Sequence, residues 1–287
     1  MAARTAVGLP TVLRKETSMT STSVTTHNSR ERVFTSTDTG PVLADITCPD
    51  GTVRVTVDPA ATVARVQIRT DDPTGPAVQA VLDTRIEQTP ERLTVAVPPL
   101  PATAQRQFHH GGTVFISGNS HSVVQVSGVG FISHDGRGIT VSGSTGVEVI
   151  VVLPAGSSAI YAGGNGSIHT HGVLAALKAE TTNGSIKADV VGRVGAEAAN
   201  GSIRVGTVTE WIDAEAGNGS IKIDTYAGST AQVRAGNGSV TVTVAPAATG
   251  RITARAGNGN VKIHGVRNRT DLDIRATASN GTVKKPA

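Results

Sequence analysis

From residue 165 onward the chain alternates apolar and polar positions with a period of two, interrupted at regular intervals by the dipeptide Asn-Gly. The pairs begin at Asn165, Asn183, Asn200, Asn218, Asn237, Asn258 and Asn280, separated by 18, 17, 18, 19, 21 and 22 residues. A small polar residue follows each Gly, and then a β-branched one: Ile168, Ile186, Ile203, Ile221, Val240, Val261 and Val283. Ahead of each corner, alternate positions are apolar, as in Val194, Ala196 and Ala198 or Ile212, Ala214 and Ala216. The positions between them are polar or charged, including Glu180, Glu197, Glu215, Arg234 and Arg255. Such alternation predicts strands with one buried face. Each repeat reads as strand, Asn-Gly corner, strand and a looser turn, the last falling at 190–193, 206–211, 225–229, 245–250 and 265–270.

Asn-Gly between strands also suits the type I′ turn of an antiparallel meander. Every repeat, however, has the same polarity and the same residue type in each column, which is what parallel stacking of coils produces. Stacking lets each corner Asn bond to the Asn of the next coil, about 4.8 Å away, and buries a face that no coil can bury alone. Both corner residues tolerate positive φ, which suits a sharp turn. The predicted fold is all-β: a single-stranded β-solenoid of stacked coils of about 17–22 residues with Asn-Gly corners, and an irregular β-rich N-terminal cap.

The first half is less regular. Alternation predicts strands over 51–57, 62–70 and 91–97, with a turn-rich break at 71–76. Val78, Val81, Leu82 and Arg85 stand at helical spacing within 77–88, which predicts one short helix. Prolines make 98–105 linker-like, the Gly- and Ser-rich stretch 111–146 reads as short strands or irregular coils, and the apolar run in 146–156 leads into the first regular repeat. The expected organisation is a disordered Ser/Thr-rich segment over 1–30, a cap region over 31–153 and regular repeats over 154–287. Met19 is a second candidate start. The cap follows from physics: an open solenoid edge would pair with other copies.

Composition sharpens this picture. Aromatic residues are only 2% of the chain, so the core must be built from Val, Ile, Leu and Ala, and the Ala columns predict a thin one. Trp211 and Tyr226 flank loose turns, where edge packing or capping is expected. Cys48 is the only cysteine, which excludes an internal disulfide and a cysteine-based metal cluster. No apolar run in 1–30 suits a signal peptide and no stretch of 18 apolar residues suits a membrane span. The expected location is the cytoplasm, with peripheral envelope association as the alternative.

The column pattern AExxNGSI at Ala179–Ile186, echoed at Ala196–Ile203 and introduced by VEVIVVLPAG, resembles a widespread bacterial family of putative adhesins, β-strand-repeat proteins of unknown function. The resemblance covers about 145–285 and is looser over 40–100, where DGTVRVTV looks like a degenerate first copy. It implies a β-solenoid with no established enzymatic activity and supplies no catalytic residues.

Candidate chemistry is sparse. His109 and His110 are adjacent, and His169 and His171 share a strand face, but no third and fourth ligands stand at a recognised spacing, so no metal or other cofactor is expected. Glu180, Glu197 and Glu215 occupy one column, as the acids of a polysaccharide-active β-helix would, yet Arg234 and Arg255 break it. A solvated face paired across the corner with Lys187, Arg204 and Lys222 explains them more simply. No Ser has a His in register for a hydrolytic triad.

Charge is unevenly spread. Residues 1–160 carry 12 Lys/Arg against 13 Asp/Glu, and residues 161–287 carry 14 against 9. Four residues after their Asn stand His169, Lys187, Arg204, Lys222, Lys262 and Lys284, interrupted by Thr241. Stacked, they form a cationic stripe able to follow a polyanion or an anionic membrane surface. Aromatic interleaving is absent, so specific nucleic-acid recognition is not expected. The expected function is a non-enzymatic structural or interaction protein, adhesin-like, whose partner is a protein, an anionic polymer or a membrane surface, with self-association through open edges as a further mode. The alternatives are a polyanion- or envelope-binding module acting through the stripe and, less favoured, a carbohydrate-active enzyme.

Overall fold

The computed structural model describes residues 24–101, 132–134, 139–141 and 146–285. Four strands open the chain: β1 (Val24–Asn28), β2 (Glu31–Thr39), β3 (Leu43–Thr47) and β4 (Gly51–Val57). They are followed by β5 (Val63–Arg69), helix α1 (Pro76–Asp83), β6 (Arg85–Gln88) and β7 (Arg92–Ala96). A short antiparallel pair, β8 (Ile132–His134) and β9 (Ile139–Val141), precedes β10 (Val147–Leu153). The repeats contribute β11 (Ser158–Gly163), β12 (Ser167–Thr181), β13 (Ile186–Ala198), β14 (Ile203–Ala216), β15 (Ile221–Tyr226) and β16 (Thr230–Ala235). They end with β17 (Val240–Val244), β18 (Gly250–Asn258), β19 (Val261–His264), β20 (Leu272–Asn280) and β21 (Val283–Lys284).

Every pairing between successive repeats is parallel and in column register: Ile168 lies beside Ile186, Ile186 beside Ile203 and Ile203 beside Ile221. The parallel registers continue through β16 to β21. The fold is a β-solenoid. Post-corner strands form one wall and pre-corner strands the other, and the apolar columns meet between them: Ile203, Val205, Ile212, Ala214 and Ala216 are all buried.

Repeat length decides how each loose turn is made. Where Asn-Gly pairs are 17 or 18 residues apart, no loop residues are left over, so β12, β13 and β14 bend continuously through the corner with local register shifts. Residues 190–193 and 206–211 are therefore strand, not separate turns. Where the spacing grows to 19–22, a loop separates β15 from β16, β17 from β18 and β19 from β20.

The chain enters this stack out of order. β3 and β4, joined by a corner at Asp50-Gly51, lie parallel to β11 and β12 on one side and to β7 and β10 on the other. Residues 43–57 thus occupy a coil position between segments that all follow them in sequence, β7 by 49 residues, β10 by 96, and β11 and β12 by 115. Beyond that level the pairing turns antiparallel: β5 adds to β10, β2 to β5, β1 to β2 and β6 to β7.

Two expectations for this region need correction. The helix ends at Asp83, where Thr84 takes an extended ψ and its hydroxyl donates to the Ala80 carbonyl at 2.7 Å; residues 85–88 form strand β6 instead. The buried stripe is Ala77, Ala80 and Val81, while Leu82 is exposed, because small side chains let the helix lie close to the sheet. Residues 1–23, His109, His110 and most of the stretch 111–146 lie outside the described residues, whereas Val24–Asn28 within the segment expected to be disordered forms β1. At the far end, Leu272, Ile274, Ala276 and Ala278 are only half-buried, since no further described coil covers them.

Candidate interaction surfaces

The corner asparagines form one continuous hydrogen-bonded row. Each side-chain amide donates to the Asn of the preceding coil: Asn183 to Asn165 at 2.8 Å, Asn200 to Asn183 at 2.9 Å, Asn218 to Asn200 and Asn237 to Asn218 at 2.7 Å. Asn258 and Asn280 continue it at 2.6 and 2.7 Å. The row starts on a carboxylate, for Asn165 donates to Asp50 at 2.9 Å. Asp50 is almost wholly buried and its other oxygen accepts the Leu100 N–H at 3.1 Å, which docks Leu100 here.

The corner glycines are needed for a different reason from the one expected. None of them has positive φ; among the described residues that conformation occurs at Asn268 and at glycines away from the Asn-Gly corners, such as Gly172, Gly250 and Gly265. Instead, the corner backbones stack so closely that a Cβ on Gly201 would lie 1.7 Å from the Gly184 carbonyl oxygen, and one on Gly184 would lie 1.8 Å from that of Gly166.

Beneath the first corners sit two groups shielded from water, Cys48 and Tyr161. Burial, and then the Asp50 charge, push the Cys48 thiol up to about 12. Burial, followed by Cys48 and Asp50, also holds the Tyr161 hydroxyl above its usual range; it occupies the space that a side chain at Gly163 or Gly166 would need. Tyr226 is equally buried, a core residue rather than an edge cap.

The basic column is in register along the post-corner wall. Arg54, His169, Lys187, Arg204 and Lys222 are successive pairing partners, then Thr241, Lys262 and Lys284. Much of its charge is locally compensated. Asp224 lies 2.8 Å from Lys222 and 3.0 Å from Arg204, and the hydrogen bond from Lys222 is the main reason its carboxyl falls below the usual range. Arg54 contacts Glu148 at 2.7 Å, and His171 Nδ1 lies 2.5 Å from Asp189. Lys187, Lys262 and Lys284 form no ion pair among the described residues. No three His, Cys, Asp or Glu side chains among the described residues converge to hold a metal.

The Glu column does not pair across the corner as expected. Lys178, on the same strand, lies 2.8 Å from Glu180, while Arg234 on the next coil lies 3.9 Å from Glu215 and 3.5 Å from Asp213. Partners on the same wall are nearer than those around the corner. Glu180, Glu197 and Glu215 are exposed and line an open hollow on this wall.

Beside them is a feature missed at the level of sequence. Gly195 is the one glycine in a column that otherwise reads Asp45, Ile160, Lys178, Asp213, Gln232, Thr253 and Arg275. Over it lies a hollow of about 590 Å³ bordered by Arg193, Glu197 and Trp211. The Trp211 ring, 41% exposed, faces solvent on this wall instead of packing an edge.

The stacked, in-register coils agree with the likeness found in sequence. Residues 79–287 match the Toastrack DUF4097 family. This chain belongs to that family. The coil of β3 and β4 lies ahead of the matched residues yet stacks within the Toastrack solenoid. Among solved structures, the Toastrack chain is similar to a putative adhesin from Bacteroides fragilis, with 13% identity, a TM-score of 0.46, and coverage of 90% of this chain and 97% of that one. It is also similar to a putative adhesin from Parabacteroides distasonis (12% identity, TM-score 0.40, covering 88% and 97%). A putative lipid binding protein from the same species gives 7% identity and a TM-score of 0.37, covering 90% and 98%. No curated protein matches the Toastrack chain. Among its described residues no helix is long and apolar enough to cross a membrane.

Proposed function

We propose that this chain is a non-enzymatic interaction protein, adhesin-like in the sense that its solenoid holds side chains in long in-register columns for a partner to read. One observation carries the reading: outward residues of successive coils are direct pairing partners, which repeats each side chain about every 4.8 Å along a rigid wall. A repeating partner, a polymer or an extended protein surface, meets such a wall at many points at once. Catalysis is disfavoured because the acids that line the open hollow on this wall are exposed and lack the desolvation that tunes a general acid. The test is a pull-down of envelope and cytosolic fractions on the immobilised chain. Capture that is lost when exposed column residues are replaced supports the reading; capture indifferent to every such change contradicts it.

A second reading rests on Lys187, Lys262 and Lys284, which leave part of the basic column uncompensated. In it, the column binds a polyanion or anionic lipid surface. Reversing Lys187, Arg204, Lys222 and Lys262 to Glu would then abolish binding to anionic vesicles at low salt. Retained binding would remove this reading and leave the first intact.

A further inference from the structure

Strand glycines normally have a reason. At the corners the reason is close backbone contact, and at Gly172, Gly250 and Gly265 it is positive φ. Gly195 has neither. Its φ lies outside the left-handed region, and a Cβ built there meets nothing nearer than Lys178 Cγ, at 3.9 Å. A glycine inside a strand costs about 0.5–1 kcal/mol relative to Ala, and a β-branched residue would suit this pleated wall better still. A strand glycine without a packing role marks a place where something else comes close.

The surroundings say what that is. Arg193 and Glu197 flank Gly195 along β13, Lys178 and Asp213 flank it on the neighbouring coils, and Trp211 pairs with Arg193. The hollow measures about 590 Å³, within the range of small-molecule sites. Trp211 supplies its aromatic face, Ile160 and Ala176 add apolar lining, and Lys178, Arg193, Glu197, Asp213 and Arg234 place polar groups at its border. The charges around it are largely matched: Lys178 to Glu180 at 2.8 Å, Arg193 to Glu210 at 3.7 Å and Arg234 to Asp213 at 3.5 Å. A site with compensated charge favours neither a cation nor an anion. Its carboxylates and guanidinium keep spare lone pairs and N–H groups in planar, two-pronged arrays.

We infer that the hollow over Gly195 is a binding site for a ring of a neutral oligosaccharide, stacked through its C–H face on Trp211 and hydrogen-bonded through adjacent hydroxyls to Arg193, Glu197 and Asp213. A flat aromatic face supplies apolar contact at little entropic cost, and a border built to pair hydroxyls discriminates strongly against ligands that lack them. The hollow is open along the wall, so rings on either side of the bound one can continue across neighbouring coils. This inference rests on the chain being a non-enzymatic interaction protein, and names the partner of one face of it.

Trp211 is the only Trp in the chain, so its fluorescence reports this site alone. The experiment titrates the full chain with maltotriose, cellotriose, mannotriose and triacetylchitotriose, and with choline and spermine as cationic comparisons. A saturable emission change with at least one trisaccharide is expected. Gly195→Val, which fills the hollow, and Trp211→Ala, followed by calorimetry, are each expected to weaken that binding roughly tenfold or more, by loss of at least one stacking or shape contact. Gly195→Val should keep or raise Tm, which separates lost binding from lost fold. Absence of saturation with every trisaccharide overturns the inference, as does undiminished binding by Gly195→Val or saturation by choline or spermine alone. Cleavage of a bound trisaccharide would leave the site standing and contradict the non-enzymatic reading instead.

Discussion

Asn165 donates its side-chain amide to Asp50 across 115 residues of sequence, so the polar row that runs the length of the solenoid begins on a carboxylate supplied by the chain's first half. That contact ties the early coil to the repeats. The carboxylate fits the position: with Leu100 N–H on one oxygen and Asn165 on the other, Asp50 meets donors on both sides.

Asp50→Asn is therefore expected to destabilise the protein, although Asn is the residue used at this place in every later repeat. Its amide N–H₂ would face either the Leu100 N–H or the Asn165 amide, leaving a buried donor unmatched at about 1–3 kcal/mol. Chemical denaturation checks this, and an unchanged midpoint would show that the end of the row is not under this constraint.

Two glycines should respond in opposite ways to the same substitution. Gly201→Ala places a methyl 1.7 Å from the Gly184 carbonyl oxygen and forces neighbouring coils apart, costing about 1–3 kcal/mol or more. Gly195→Ala has open space and should be neutral or stabilising by about 0.5–1 kcal/mol. Thermal melts of the pair test whether glycine serves backbone contact at one site and an open surface at the other.

The Tyr226 hydroxyl is buried with no hydrogen-bond partner among the described residues. Tyr226→Phe keeps the ring and removes the orphan group, so it should leave stability unchanged or raise it by up to about 1–3 kcal/mol. A marked fall in Tm would reveal a partner for the hydroxyl, such as a buried water.

Cys48 makes a pH prediction. Burial raises its thiol to about 12 in the folded chain, whereas a free thiol ionises near ~8.5. Below ~8.5 both states keep the proton and stability does not depend on this group. Between there and about 12 the unfolded chain binds fewer protons than the folded one, so the contribution of Cys48 lowers stability as pH rises. Cys48→Ala should flatten that alkaline decline in urea melts. Native protein at pH ~8 should resist alkylation that proceeds once urea unfolds it.

The solenoid was legible because its cause is periodic. Identical columns around Asn183, Asn200 and Asn218 admit parallel stacking and little else, and the lengthening of later repeats accounts for the loops after β15. The first half was less legible, because its partners are remote. Nothing near Asp50 says that it will cap the Asn row, although the DGTVRVTV segment was recognisable as a repeat copy. The helix boundary at Thr84 was set by the hairpin of β6 with β7, a strand pairing that overrode helical spacing. The hollow at Gly195 was hidden for a further reason: its meaning lies in contrast with Lys178 and Asp213, residues on other coils, and in the space a missing side chain leaves open.

The most direct test of the central claim is to incubate the purified chain with the neutral trisaccharides and with anionic polymers, separate bound from free material, and weigh the bound probes by mass spectrometry. An interaction protein should retain a probe and return it at unaltered mass. Shortened or otherwise altered products that disappear with Glu197→Gln or Asp213→Asn would contradict the account and make this wall an active site.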